Sequence, residues 1–426
     1  MLPAVGRDLG DVRLYGWVFS AFFLGSLVGI VIAGQQADRR GLVRPFGFGL
    51  LLFGIGLIIG GFAPVMPVLV MGRAVQGLGA GAIPAAGYVA IGRGYPGHLR
   101  PRMFAVLSTA WVVPGLIGPA LAGLVADHVG WRWVFLGLLP LVVGCAFLTL
   151  PAVRGFGPPA PADGSEPATA ADQPPGSRLF PALRVAAGAG LVLAGLTVAS
   201  VLPTPLLIGA GLAIGLPAFV ALVPPGTLAA RPGLPAAVLT RGVLTFAFFG
   251  GDAYVPLTLT SIRGASAAVA GLALTASTLT WTLGAWVQER RINRWGPRRL
   301  IRTGFVLVAA GAVGMTTLLS HGTPVWLGPV MWGVAGLGIG LAYAPISVTV
   351  LHDASPGQEG QASSALALTD VLGTALGTGT GGAAVAFGHA HGWDPRAGLA
   401  FAFAIAVAVA IAGATVARRI PVRLAD

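Results

Sequence analysis

Apolar runs of about twenty residues recur along this chain, and a run of that length constrains the fold more than any other feature. The hydrocarbon core of a bilayer is about 30 Å thick and takes roughly twenty residues of helix to cross. Inside it every backbone polar group must be paired within the segment, so each run is expected to be a helix. Thirteen spans are expected, near 14–33, 44–63, 67–91, 103–126, 132–150, 183–200, 204–223, 240–261, 266–287, 301–319, 324–350, 362–387 and 397–417. Only 9% of the residues are charged and 55% are apolar, whereas a soluble domain carries about 25% charged residues. The 66 glycines and 33 prolines lie largely within these runs, where membrane helices tolerate them better than soluble ones do. The expected class is an all-α polytopic membrane protein.

Charge placement sets the orientation. All 26 basic residues are arginine, and cytoplasmic loops carry the excess of arginine. With the 34–44 loop inside, twenty arginines, Arg241 among them, are expected on the cytoplasmic side. Arg7, Arg13, Arg132, Arg263 and Arg396 fall outside, and Arg73 lies in a span. This asymmetry accounts for the net charge of +12 without nucleic acid as a partner; the lipid bilayer is the expected partner. The Pro-, Ala- and Gly-rich stretch 151–181 reads as a disordered cytoplasmic linker. Cys145, the single cysteine, is expected to be a small core residue. The opening MLPAVGRDLG lacks the basic head and apolar run of a cleavable signal.

Two stretches match at one offset. VQGLGAG (75–81) resembles VAGLGIG (334–340), and LSTAWVVPGLIGPALAGLVA (107–126) resembles LALTDVLGTALGTGTGGAAV (366–385). Both are displaced by 259 positions, which sets Gly118 on Gly377 and Gly123 on Gly382. Two related halves in parallel orientation are expected, residues 1–150 and 225–426, with the linker 151–181 and an extra hairpin over 182–224 between them. Carriers that rock about a central site are built this way.

Four motifs in order then carry a family resemblance. GQQADRRGLVRP (34–45) resembles the loop motif G-x-x-x-D-R-x-G-R-R of the major facilitator superfamily, with Gly34, Asp38, Arg39, Gly41 and Arg44 in matching roles. It departs from that motif in having Arg40 before Gly41 and in keeping only Arg44 of the last basic pair. GAWVQERRINRWGPRR (284–299) is a degenerate second copy. RAVQGLGAG (73–81) is similar to the fourth-helix motif. PGLIGPALAG (114–123) is similar to the fifth-helix antiporter motif, through Pro114, Gly118, Pro119 and Gly123. WRWVF (131–135) is a common opening of the sixth helix. The resemblance covers nearly the whole chain. It implies two pseudo-symmetric helical bundles, and the pair of spans at 183–200 and 204–223 resembles the insert of the fourteen-span drug:proton antiporter branch. MLPAVGRDLG resembles the segment leaving the first helix of that branch. The first helix is therefore expected to be absent and the natural chain to begin upstream of Met1.

Charges within spans are costly, by about 2.5–3.5 kcal/mol at a helix centre on insertion scales, and usually face a cavity or a partner. Asp252, in TFAFFGGDAYVPLTL (245–259), is expected ten residues into its span and near the bilayer middle. A titrating carboxylate there suits proton coupling; a static bond to Thr245 or Tyr254 is the structural alternative. Asp370 is the second candidate. By the resemblance, Arg73 tunes proton transfer, against a plain role as a donor to interhelix carbonyls. Gln76, Trp111, Tyr254, Trp281 and Tyr343 are expected to line a pocket for flat organic compounds, unless they only pack. His321, His389 and His391 are expected in external loops, and His98 and His352 in cytoplasmic ones; no metal site and no cofactor are expected. No Walker motif occurs, nor any H-E-x-x-H. The leading expectation is a bacterial cell-membrane transporter that exchanges small organic solutes for protons, not an enzyme. A metabolite carrier and a non-transporting homologue are the alternatives.

Overall fold

A computed structural model describes residues 2–10, 12–40, 42–94, 118, 121–154, 179–198, 203–320, 322–354 and 359–422. Among these residues there is helix and no strand. The first half holds α1 (Leu2–Leu9), α2 (Tyr15–Arg40), α3 (Val43–Gly61), α4 (Met66–Gly94), α5 (121–128), α6 (Arg132–Leu136) and α7 (Leu139–Val153). The inserted pair is α8 (Leu179–Val198) and α9 (Pro203–Leu222). The second half holds α10 (Leu234–Asp252), a short α11 (Val255–Leu257) running into a π turn, α12 (Ala267–Trp295), α13 (Pro297–Thr317), α14 (Leu327–His352), α15 (Glu359–Ala390) and α16 (Pro395–Val416).

Eleven segments among the described residues are long and apolar enough to cross a membrane. The 32-residue α15 corresponds to the expected span 362–387. It is richer in Gly, Ser and Thr, because it packs between α10, α2, α16 and α8. Of the span expected over 103–126, and of the linker 151–181, most lies outside the described residues. The chain is therefore a multi-pass membrane protein.

Helix ends differ from the expected spans for one physical reason. A helix need not stop where the hydrocarbon stops. The 29-residue α12 is about 43 Å long at 1.5 Å per residue, well beyond a ~30 Å core. Likewise α2 runs on to Arg40, so Gly34, Asp38 and Arg39 sit on its last turns and not in a loop, while Arg44 opens α3. Gly41 lies outside the described residues. The helix expected to begin at residue 240 begins at Leu234.

The repeat is visible in the packing. In the first half α4 packs on α2 and α3, and in the second α14 packs on α12 and α13. Gly77 and Gly81 of α4 lie against backbone of Phe22 and Ser26, where an added Cβ would strike carbonyl oxygens. Gly336 and Gly340 of α14, each displaced by 259, meet the carbonyls of Ser277 and Trp281 in the same way. Absent side chains let the backbones approach closely. The largest apolar cluster lies in the second half around Trp332, Phe305 and Phe403. In contrast α7 is almost wholly on the surface. Cys145 is exposed there: it faces outward, not into a core, because lipid accepts apolar side chains on the outer face of a span.

Candidate functional site

One face of α10 carries most of the polar chemistry. Positions 241, 245, 248 and 252 follow helical spacing, and they hold Arg241, Thr245, Phe248 and Asp252. Arg241 and Asp252 are about 16 Å apart along that face at 1.5 Å per residue. Asp252 ends α10, where the helix breaks before α11. It lies within the apolar segment Leu234–Ile262, which is long enough to cross a membrane.

Asp252 is half-buried, and its Oδ1 accepts a 2.6 Å hydrogen bond from Trp332 Nε1 on α14. Neither expected static partner holds it. Thr245 donates to the Asp370 carbonyl at 3.0 Å, and Tyr254, fully buried, donates to the Thr378 carbonyl at 2.5 Å. Among the described residues no cation stands within ion-pair distance of Asp252.

Asp370 has a cationic neighbour that sequence reasoning misplaced. Arg241, expected on the cytoplasmic side, is 3% exposed within α10. Its guanidinium lies 3.4 Å from the centre of the Tyr343 ring and donates to the Tyr343 carbonyl at 2.8 Å and to Ser347 Oγ at 2.6 Å. Its Nε stands 3.6 Å from Asp370 Oδ1, too long for a hydrogen bond, and both atoms are buried without one. Tyr343 Oη donates to the other oxygen, Oδ2, at 2.8 Å. The arrangement is a loose buried ion pair braced by a tyrosine. A count of charges by position cannot tell a loop arginine from one turned inward; the shared face with Asp252 was the available signal.

An aromatic column joins the two carboxylates. Trp332 stacks on Phe248 at 5.4 Å, Phe248 meets Trp281 edge-on at 5.6 Å, and Trp281 lies 5.4 Å from Tyr343. A branch reaches the first half: Trp281 to Phe249 at 6.3 Å, Phe249 to Phe23 of α2 at 6.4 Å, and Phe23 to Phe22 at 5.4 Å. Arg73 lies over Phe22 at 4.2 Å, donates to the Val18 carbonyl at 3.1 Å and bonds Gln76, which is buried. The interhelix carbonyl role weighed for Arg73 is thus present. Of the expected pocket residues, Trp281 and Tyr343 are half-buried in the column, whereas Tyr254 and Gln76 are packed in. Trp111, Pro114 and Pro119 lie outside the described residues. Gly123 approaches the Ala267 backbone, and among the described residues nothing adjoins Gly118 closely. An apolar cavity of about 180 Å³ lies on the opposite face of α10, lined by Phe219, Val243, Phe246 and Leu376 among others, and holds no charge.

The halves meet tightly at their outer ends. Tyr15 Oη donates to the Ala253 carbonyl at 3.3 Å and Ser20 Oγ to the Ala375 carbonyl at 2.8 Å. Asp127, at the end of α5, accepts the backbone N–H groups of Ala267 (3.2 Å) and Ala268 (3.0 Å), capping α12 from the opposite half. Trp131 and Arg132 both donate to Asp8 Oδ2 at 2.9 and 2.6 Å. Those two bonds, the indole's first, hold the Asp8 carboxyl below the usual carboxylate range. His389 lies in the last turn of α15, not a loop, and His391 beyond it. His352 ends α14 and contacts Asp353; His98 and His321 lie outside the described residues.

Two repeated helical bundles and an inserted hairpin of apolar helices define a polytopic membrane protein of the two-bundle class. The family model of the Major Facilitator Superfamily matches residues 1–378, and the chain belongs to that superfamily. It is 29% identical over 389 residues to a probable multidrug-efflux transporter of Mycobacterium tuberculosis, covering 88% of this chain and 81% of the relative. Multidrug transporter protein MdtP of Bacillus subtilis is 22% identical over 389 residues, 88% of this chain and 69% of its own. Among solved structures, an auto-inhibited POT family peptide transporter superposes with a TM-score of 0.69 at 18% identity, over 98% of this chain and 92% of that one. The nucleoside transporter NupG gives 0.65 at 13%, over 98% and 93%.

Proposed function

We propose that this protein is a bacterial cell-membrane exporter that exchanges protons for organic, drug-like cations by alternating access, with no catalytic chemistry of its own. One observation carries this reading: Asp252, within a segment apolar enough to cross a membrane, presents a carboxylate beside aromatic rings, with no cation in ion-pair distance among the described residues. A buried charge needs a partner, and there the partner is either a proton or a cationic substrate. Aromatic faces attract organic cations, so the half-buried Phe249, Trp281 and Tyr343 add affinity without demanding one shape. Asp370 is the less available carboxylate, because neutralising it would strand Arg241 in a buried position. In this account the Arg241–Asp370 pair orders α10, α14 and α15, and Asp252 exchanges its partner. The tight outer seal supports a state open toward the cytoplasm, from which a drug is loaded. Kinship with multidrug-efflux relatives supports the direction and the breadth of substrate.

The test uses proteoliposomes containing the full chain, a lipophilic cationic dye and an imposed pH step. Asp252→Asn is expected to abolish dye movement driven by the pH step while leaving the folded yield unchanged. Undiminished pH-driven movement in Asp252→Asn would remove Asp252 from the mechanism.

A further inference from the structure

A single residue, Gly296, joins α12 to α13. Its φ is +75°, a left-handed conformation natural to glycine, and Pro297 opens α13 with its φ already close to helical. The turn is short and stiff. It presents six arginines: Arg290, Arg291 and Arg294 from α12, and Arg298, Arg299 and Arg302 from α13. Glu289 is the sole acid between 284 and 302. Arg290, Arg291, Arg294, Arg299 and Arg302 are exposed, and none forms an ion pair among the described residues. Arg298 is tied back, its Nε donating to the Ile420 carbonyl at 2.6 Å. The Trp295 ring, 38% exposed, lies between the guanidiniums of Arg291 (5.4 Å) and Arg299 (6.0 Å).

Depth points to the occupant. Because α12 exceeds the hydrocarbon thickness, its last turns emerge on the cytoplasmic side at headgroup level. An indole flanked by guanidiniums belongs at that boundary, where Trp and Arg anchor helices. Topology requires arginines on this side of the membrane. It does not require them to gather on one rigid turn with a single acid, where they repel one another unless an anion is present.

We propose that the α12–α13 turn is a binding surface for the phosphate headgroups of anionic phospholipids in the cytoplasmic leaflet, with Arg291, Arg294, Arg299 and Arg302 as its donors and Trp295 inserted beside the headgroup. The surface fixes the inner ends of α12 and α13 at the membrane plane, and it does not depend on the role given to Asp252.

The detergent-purified full chain is titrated with fluorescent phosphatidylglycerol and, in parallel, with fluorescent phosphatidylcholine of the same acyl length. The native protein is expected to prefer phosphatidylglycerol by at least tenfold. Each surface arginine contributes about fivefold, so Arg291→Gln, Arg294→Gln, Arg299→Gln and Arg302→Gln combined should lose that preference. The same four positions changed to Lys should retain most of it, which separates charge from misfolding. Arg154→Gln, just beyond α7, should retain it fully. Equal binding of the two lipids by native protein would overturn the proposal. So would a preference that survives the fourfold Gln change, or one lost equally in Arg154→Gln. Displacement of the lipid by inorganic phosphate at the lipid's own concentration would assign the arginines to a free anion and overturn the lipid surface.

Discussion

Arg241 is the residue whose environment says most about how this chain tolerates charge. Every group around it comes from another helix, Tyr343 and Ser347 from α14 and Asp370 from α15, so its burial joins three elements. Removing one partner of a buried pair leaves the other uncompensated, typically at 3–5 kcal/mol. With 26% of the Asp370 side chain still exposed, Arg241→Met should cost toward the low end, ~3 kcal/mol, read from denaturant or thermal unfolding. Adding Asp370→Asn to that variant should recover part of the loss; a double variant no better than the single one would mean that the two charges do not compensate each other. Asp252 and Asp370 could be singled out in the sequence because a carboxylate inside an apolar run is conspicuous. Their partners could not. Trp332 is 80 positions from Asp252 and Arg241 is 129 from Asp370, and no local pattern signals contacts made through helix packing.

At the scale of helices, bilayer thickness made the spans legible and also limited what could be read. Hydropathy locates the stretch that lies in hydrocarbon, so the second-half spans were found while their ends were not. It is also blind to facing, which is why Cys145 was expected inside and stands on the outer face of α7. The glycine pairs Gly77/Gly81 and Gly336/Gly340 were legible as a repeat, since close helix approach demands the same small residues in both halves. Asp127 carries the consequence at this scale. A carboxylate accepting the first amides of α12 from the other half acts as a cap, and loss of such a cap costs about 0.5–2 kcal/mol. Asp127→Ala should therefore weaken the contact between the halves and raise the population with separated ends roughly two- to thirtyfold. Spin-label distances between the outer ends of α5 and α12, in a Cys145→Ser background, measure this. An unchanged distance distribution would show that Asp127 has no part in closure.

For the whole molecule, the two-bundle architecture followed from the repeat, the arginine asymmetry and four motifs in order, each a direct result of a membrane's thickness and sidedness. The aromatic column did not, because rings from α10, α12 and α14 meet only after the second bundle has packed. That column has Asp370 and its arginine at one end and Asp252 at the other. The central claim is that one carboxylate, Asp252, holds a proton or an organic cation but not both. The direct measurement is proton release on binding: purified protein in weak buffer with a pH indicator, mixed with a lipophilic organic cation. The account predicts that native protein releases close to one proton per cation bound, and that Asp252→Asn binds more weakly and releases none. Saturable binding without proton release in the native protein, or release undiminished in Asp252→Asn, would contradict it.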